Sequence, residues 1–156
     1  MGDRAFYEFL DNNPSMHSLP VHIVNDPRHI SKNDLVVSVN ATLQVDLSGA
    51  CNSEHVMGRQ YSGSGGQLDF VRGASASHGG KSIIACRSTA KDGAVSRIVP
   101  RLEGPVTTPR NDIHIVVTEF GAVDLRGKSL RQRADALISI AHPSFRDTLM
   151  SNALAR

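Results

Sequence analysis

The chain has 156 residues, of which 40% are hydrophobic and 21% charged, a length and composition typical of one globular domain and unlike those of a disordered chain. Its 17 basic and 15 acidic residues leave a formal net charge of +2, too weak a field to indicate a nucleic-acid-binding protein. We therefore expect a single domain over residues 1–156 that binds small molecules.

The cysteines and the apolar runs indicate the compartment. Cys51 and Cys86 are the two cysteines, and they have no CxxC spacing, so neither a disulfide framework nor a thiolate metal site is indicated. No apolar run approaches the roughly 20 residues that span a bilayer, and the N-terminus lacks the basic-then-apolar pattern of a signal peptide. We predict a cytoplasmic protein without a membrane partner.

The first half of the chain predicts helix, strand and helix again. Apolar residues at helical spacing predict a short helix over 3–12. The β-branched run Val21–Asn25 and the stretch over 34–47 read as strands. The glycine cluster Ser62–Gly66 then predicts a sharp turn that enters a helix through Arg72.

The second half predicts three more strands and two helices. The runs Ser82–Arg87, Val95–Val99 and Ile113–Thr118 are short and rich in β-branched residues. Ser129 begins a capping-box sequence ahead of one helical stripe, and Pro143 suits the first turn of a last helix. Strands mixed with helices predict an α/β fold, an open mainly parallel sheet flanked by helices.

Several common motifs fail on their own spacing. Gly79–Ser82 resembles the end of a P-loop, but the loop would need a glycine at Ser75 and would have to lead into a helix. A dinucleotide GxGxxG would need a glycine at Leu68, and a GxSxG nucleophile elbow would need one at Ser62. The seven histidines show no HxxxH or HExxH spacing, so we predict no metal site.

The segment Gly63-Ser64-Gly65-Gly66 is open to two interpretations. Three glycines in four positions let the backbone approach a ligand closely, and amides at the start of the following helix can bind an anion or an oxyanion. An ordinary tight turn explains the same glycines. The loop sequence by itself leaves both interpretations open.

A series of ordered motifs carries a resemblance to a known family. The motifs are Phe9–Pro14, Asn25–Pro27, Gln44–Gly49, Tyr61–Phe70, Ser96–Pro100, Val106–Arg110 and Leu125–Leu130. In this order they resemble the C-terminal domain of the acetyl-CoA hydrolase/transferase family, from about Gly2 to the end of the chain. The resemblance implies a CoA-transferase domain of the NagB/RpiA-like type.

The resemblance also implies a chemistry. In such class I transferases a Glu carboxylate attacks an acyl-CoA thioester, a glutamyl-CoA intermediate forms, and CoA passes to a short carboxylic acid such as 4-hydroxybutyrate or acetate. The implied oxyanion donor is the Gly66 amide, and Asn25, Gly63, Gly65 and Lys91 match positions that line the site or contact CoA. CoA enters as a thioester substrate, and no permanently bound cofactor is implied. Lys91 also suits a simply exposed loop lysine.

The chain departs from the family pattern at its nucleophile. The catalytic Glu of the family lies upstream of the first helix, and none of Glu8, Glu54, Glu103 and Glu119 occupies its position. The family's N-terminal domain also has no counterpart here. We expect the chain alone to be inactive, to need that N-terminal domain as a partner, and to form a homodimer or other homo-oligomer. Acetyl-CoA hydrolase and a noncatalytic CoA-binding or oligomerisation module are the alternatives.

Overall fold

The computed structural model describes residues 2–154, with only the backbone at Leu154. The helices are α1 (Arg4–Leu10), α2 (Val21–Val24), α3 (Pro27–Ile30), α4 (Gln67–Ala76), α5 (Leu130–Ser139) and α6 (Pro143–Leu154). The strands are β1 (Val37–Ala41), β2 (Gln44–Asp46), β3 (Cys51–Asn52), β4 (His55–Val56), β5 (Arg59–Gln60), β6 (Lys81–Ala85), β7 (Thr89–Ala90), β8 (Val95–Ser96), β9 (Ile98–Val99), β10 (Ile115–Thr118) and β11 (Gly121–Asp124).

The main sheet has four strands in the order β1-β6-β10-β11. β6 pairs in parallel with both β1 and β10, whereas β11 pairs antiparallel with β10. The predicted α/β class with an open, mainly parallel sheet is therefore confirmed. β11 was not predicted, because its four residues are a Gly, an Asp and two small apolar residues that lie mostly on the surface.

The core lies on one face of this sheet. Ile84 of β6 and Val116 of β10 are completely buried there, as are Val71 of α4 and Leu137 of α5. Adjacent strands in register place these side chains on the same face, since side chains alternate along a strand. Helices α4 and α5 thus cover the face that carries Ile84.

The predicted strand Val95–Val99 divides into two strands that belong to different sheets. Val95–Ser96 pairs with β7 in a hairpin, and Ile98–Val99 pairs in parallel with β2 in a second sheet of order β3-β2-β9. Arg97 lies at the junction. Its N–H donates to Ser88 O at 2.8 Å and its C=O accepts from Val45 N at 2.9 Å. The chain therefore changes partners at this residue.

The predicted strand Val21–Asn25 is wrong, because residues 21–24 form the short helix α2. Asn25 N–H donates to Val21 O at 2.8 Å and ends the helix. Asp26 then caps α3 by accepting from Arg28 N–H at 2.8 Å. A run of four residues, three of them apolar, is too short to reveal a period of 2 or 3.6, so tertiary packing decided its conformation.

Within residues 2–154, no helix combines the length and the apolar character that a membrane span requires. Cys51 is buried and Cys86 is half-buried, and both thiols are free. Burial raises the pKa of the Cys86 thiol to about 11, so it is protonated and weakly nucleophilic at neutral pH.

The capping box predicted at Ser129 is present. Ser129 Oγ accepts from Gln132 N–H at 3.3 Å, and Gln132 Oε1 accepts from Ser129 N–H at 2.9 Å. These two bonds satisfy amides that have no partner within α5. They fix the start of the helix that carries buried Leu137.

We expect Ser129→Ala to lower the free energy of unfolding by about 1 kcal/mol, the usual cost of losing such a cap. Urea denaturation followed by circular dichroism measures this loss. The matched control is Ser139→Ala at the other end of α5, whose hydroxyl only donates to Ala136 O. A control that costs as much as Ser129→Ala would contradict the assignment of this stability to the capping box.

Candidate active site

The glycine loop leads directly into α4, as predicted. Gly66 is the N-cap of this 10-residue helix, and Gly65 has φ +59°, a left-handed conformation that favours glycine. Gly66 O accepts from Phe70 N at 3.1 Å. Its own N–H donates to no acceptor within residues 2–154. The loop therefore presents a free amide at the positive end of a helix dipole.

Neighbouring segments hold the loop from both sides. Tyr61 N–H donates to Glu54 O at 2.7 Å, and the Glu54 carboxylate accepts from Thr107 Oγ1 at 2.8 Å. After the loop, buried Gln67 donates from Nε2 to Thr108 Oγ1 at 2.9 Å. Glu54 is thus a scaffold for the loop, and Gly66 lies between two anchored points.

The structure brings Asn25 to Gly66. The side-chain amide of Asn25 lies against the Gly66 Cα, where a Cβ at position 66 would collide with Asn25 Nδ2. The approach is set by helix packing: a Cβ at Gly73 would lie 2.6 Å from Ile30 Cβ, so α3 and α4 meet closely there. Ile30 follows Asn25 by five residues, and Gly73 follows Gly66 by seven. The packing of α3 against α4 at Ile30 and Gly73 therefore also brings Asn25 to Gly66.

Electrostatics reinforce the turn that carries Asn25. The side-chain and backbone hydrogen bonds from Arg28 lower the pKa of the neighbouring Asp26 to about 2. The guanidinium lies 2.8 Å from the carboxylate. Asp26 is therefore ionised at any physiological pH and remains a helix cap for α3.

Lys91 lies on a separate hairpin. Lys91, Asp92 and Gly93 all have positive φ, at 50°, 53° and 90°, in the turn between β7 and β8. Such left-handed residues are strained unless they are glycine, and strain of this kind concentrates at functional sites. The Lys91 ammonium lies 3.9 Å from Met57 Sδ, on the turn between β4 and β5.

Between these two hairpins is a cavity of about 400 Å³. Its lining includes the apolar Leu43, Val56 and Val95 and the charged Lys91, Arg97 and Glu103. Arg97 Nε is buried and has no hydrogen-bond partner among the described residues. Lys91 and Arg97 outnumber the one carboxylate, Glu103, in a lining that is otherwise largely apolar. Such a cavity suits an anionic ligand with apolar parts.

The predicted site residues therefore fall into two groups. Asn25, Gly66 and the rest of the glycine loop form one, and Lys91 with its cavity forms the other. In the part of the chain that the structure describes, no hydrogen bond joins Lys91 to the loop. The β4–β5 hairpin links them along the chain, since Met57 in its turn contacts Lys91 and its second strand runs into the glycine loop.

Sequence reasoning missed the setting of Glu119, which it considered only as a nucleophile. Glu119 directly follows β10 and accepts from Ser88 N–H at 2.8 Å and from Ser88 Oγ at 2.7 Å. Desolvation opposes ionisation, but the hydrogen bonds from Ser88 and the Glu119 amide and the charge of Arg87 together outweigh it, so the pKa of Glu119 lies below its usual value. The signal was available, because side chains just beyond the carboxyl ends of parallel strands meet at one edge of a sheet, where ligands bind.

Among the described residues, no group of three or more His, Cys, Asp or Glu side chains is arranged to hold a metal ion. The remaining acidic candidates have other neighbours: Glu8 pairs with Arg4 on α1, and Glu103 lines the cavity.

Comparison with known proteins identifies the family of the chain. The sequence profile of the acetyl-CoA hydrolase/transferase C-terminal domain matches residues 2–153. A succinyl-CoA:cyclohexane-1-carboxylate CoA transferase of Geobacter metallireducens is 55% identical over 98% of this chain and 36% of its own length. The 4-hydroxybutyrate coenzyme A transferase of Clostridium kluyveri is 53% identical over 97% of this chain and 36% of its own length.

The crystal structure of RipA from Yersinia pestis has a TM-score of 0.94 and 62% identity, covering 99% of this chain and 35% of that one. The chain thus spans about a third of the length of the relatives that it matches. It belongs to the acetyl-CoA hydrolase/transferase family and contains that family's C-terminal domain.

Proposed function

We propose that the chain is the C-terminal domain of a CoA-transferase that moves CoA from an acyl-CoA thioester to a short carboxylic acid of the 4-hydroxybutyrate or acetate type. The observation that carries the proposal is the family match over residues 2–153. Because the chain spans about a third of its relatives, we assign the N-terminal domain and the catalytic Glu to polypeptide upstream of these residues.

The proposed reaction is a double displacement. The upstream Glu carboxylate attacks the thioester carbonyl and releases CoA thiolate, which leaves an acyl-glutamyl anhydride. The thiolate then attacks the glutamyl carbonyl, releases the first carboxylate and forms glutamyl-CoA. The acceptor carboxylate repeats the two steps in reverse, so CoA leaves on the new acyl group and the Glu is regenerated.

In this proposal Gly66 supplies the oxyanion donor. Each attack turns a carbonyl oxygen into an oxyanion, which a fixed N–H at a helix N-terminus stabilises more than it stabilises the starting carbonyl. The unpaired Gly66 amide at the start of α4 suits this role. Gly63 and Gly65 leave open space beside it, since a Cβ at either position would meet no atom within 4 Å.

Asn25 and Lys91 take the binding roles. The Asn25 amide, held against Gly66, supplies a polar contact next to the thioester carbonyl. Lys91, in a cavity of about 400 Å³ that also contains Arg97, supplies positive charge for the phosphate-bearing part of CoA. The apolar lining of the cavity suits the pantetheine chain.

Two alternatives are tested together with this proposal. The family's description includes hydrolases, in which water replaces the acceptor acid. The other alternative is a noncatalytic CoA-binding or oligomerisation module. For the compartment we propose the cytoplasm, supported by two free thiols, and for the assembly a homodimer, which light scattering of the complete protein tests.

The test uses a chimera in which this chain replaces the matching region of the Clostridium kluyveri transferase. We expect the chimera to transfer CoA from acetyl-CoA to 4-hydroxybutyrate. We expect the isolated chain to show no turnover, because residues that only orient the thioester cannot form the anhydride without a nucleophile. Mass spectrometry of the product acyl-CoA measures transfer. Release of free CoA without an acceptor acid measures hydrolysis.

Each outcome separates the hypotheses. CoA release that does not depend on the acceptor acid supports the hydrolase. A folded chimera that binds CoA but turns nothing over supports the noncatalytic module. Transfer by the isolated chain, abolished by changing one of its own glutamates, would show that the nucleophile has been misplaced.

In the active chimera we expect Gly66→Ala to lower kcat by about 100-fold, the usual scale for one oxyanion donor. The added Cβ displaces Asn25 and turns the amide away from the carbonyl. Steady-state kinetics measure the change, and Ser64→Ala in the same exposed loop is the control that should keep normal kcat. Unchanged kcat in a correctly folded Gly66→Ala chimera would show that the oxyanion role is wrong.

Lys91→Ala should instead raise the KM for acyl-CoA and leave kcat nearly unchanged, because a point charge on a remote part of the substrate contributes equally to ground-state and transition-state binding. Lys32→Ala removes the same charge from an exposed site outside the cavity and should leave KM unchanged. Equal effects of the two variants would show that Lys91 acts only through net charge.

A further inference from the structure

Two adjacent buried threonines, Thr107 and Thr108, lie behind the glycine loop, and we name them the threonine pair. They are 6% and 0% exposed. The N–H groups of Thr107 and Thr108 donate to Cys51 O at 2.8 and 3.2 Å, and Cys51 N–H donates to Thr108 O at 3.0 Å. Cys51 is itself completely buried in the core. The threonine pair therefore belongs to the rigid part of the fold.

Thr107 holds the chain where it enters the glycine loop. Its hydroxyl accepts from Ser53 N–H at 2.9 Å and donates to Glu54 Oε2 at 2.8 Å. Glu54 O in turn accepts from Tyr61 N–H at 2.7 Å and from Ser62 N–H at 3.3 Å. Because the hydroxyl has a donor on one side and an acceptor on the other, its orientation is fixed. Glu54 and the first residues of the loop are restrained with it.

Thr108 holds the chain where it leaves the loop. Its Oγ1 accepts from Gln67 Nε2 at 2.9 Å, and Gln67 follows Gly66 as the first residue of α4. Gln67 is only 9% exposed, so its side-chain amide is withdrawn from water and the loss of this bond is costly. The first turn of α4 is therefore held by the same threonine pair as the entrance of the loop.

The loop between these two points has little to fix it. Residues 62–65 are exposed, and within residues 2–154 the four backbone N–H groups of residues 63–66 donate to no acceptor. Glycine loses more conformational freedom on ordering than any other residue, so a segment with three glycines in four positions does not keep a fixed geometry by itself. An oxyanion donor is effective only when it is oriented before the reaction. The orientation of the Gly66 amide must therefore be set from outside the loop.

We propose that Thr107 and Thr108 are positioning residues for the oxyanion donor, because together they fix both ends of the glycine loop and so orient the Gly66 amide toward the reacting carbonyl. Thr107 acts through Glu54, and Thr108 acts through Gln67. The proposal rests on the role proposed for Gly66, since a restraint on the loop affects turnover only if the loop carries the donor.

Removal of the Thr108 hydroxyl tests the bond to Gln67 in the active chimera. Thr108→Val keeps the shape of the side chain and loses the acceptor. We expect kcat to fall about 10-fold and the KM for acyl-CoA to stay unchanged, since a misdirected donor costs less than the roughly 100-fold loss of a donor that is absent. Thr108→Ser keeps the hydroxyl and should retain normal kcat. A serine variant as slow as the valine variant would overturn the proposal.

The matched control removes a buried hydroxyl at the opposite end of α4. Ser77 is 6% exposed, and its Oγ donates to Asn33 O at 2.6 Å. Ser77→Ala should lower the Tm of the chimera and leave kcat unchanged. A fall in kcat equal to that of Thr108→Val would show that any loss of a buried hydrogen bond slows the enzyme, and the proposal would then be wrong.

A double variant separates positioning from stability. Thr108→Val alone leaves the Gln67 amide buried without a partner, which destabilises the fold. Gln67→Met combined with Thr108→Val replaces both partners by apolar groups of similar shape, so the Tm should be nearly unchanged. Because apolar contacts are non-directional, we expect kcat of the double variant to stay about 10-fold low. Recovery of kcat together with the Tm would show that Thr108 contributes only stability.

The dependence on Gly66 provides a further measurement, made at the other end of the loop. Thr107→Val should lower kcat about 10-fold in the chimera that retains Gly66. In the Gly66→Ala chimera the same change should lower kcat no further, because the donor that Thr107 positions is already lost. Fully additive losses would show that Thr107 affects catalysis by another route, and would overturn the proposal.

Hydrogen–deuterium exchange reports on the loop whether or not the chimera is active, and it is measured in the chain itself and in the chimera. In Thr107→Val we expect the Tyr61 and Ser62 amides to exchange about 10-fold faster. In the double variant we expect the same of the Phe70 amide, which donates to Gly66 O at 3.1 Å. Faster exchange in a chimera without transferase activity would support the restraint on the loop and overturn only the proposed function. Unchanged exchange at all three amides would overturn the present proposal even in an active chimera.

Discussion

The candidate site depends on the close packing of α3 against α4. Gly73 has no side chain, so Ile30 enters the surface of α4 at a distance that any Cβ would prevent. That contact aligns the end of α2 with the start of α4, where Asn25 lies against Gly66. A hydrophobic contact two helical turns away thus positions the polar pair.

The glycine loop and the cavity are linked through the β4–β5 hairpin, whose turn lines the cavity and whose second strand runs into the loop. Glu54 and Thr107 hold the loop by hydrogen bonds. Met57 and Lys91, in the turns of two different hairpins, contact each other and line the cavity. The described residues offer an amide donor at Gly66 and cations at Lys91 and Arg97.

Local sequence signals predicted the elements that have strong local determinants. The capping box at Ser129, the proline at the start of α6 and the glycine loop before α4 all lie where the pattern placed them. Signals failed where the run was short. Val21–Val24 became helix, and Val95–Val99 divided at Arg97 between two partners. Runs of four or five residues fit either period, so long-range pairing decides their conformation.

By itself the sequence determined the fold class, the family and the candidate residues Asn25, Gly66 and Lys91, because ordered motifs and glycine positions are local properties of the chain. Only the tertiary structure decided which of these residues meet. It placed Asn25 against Gly66, set Lys91 apart in its cavity and anchored Glu119 on Ser88. Asn25 and Gly66 are separated by 41 residues in the chain, and Ser88 and Glu119 by 31. Helix docking brings the first pair together and parallel strand register the second, and no local sequence pattern encodes either.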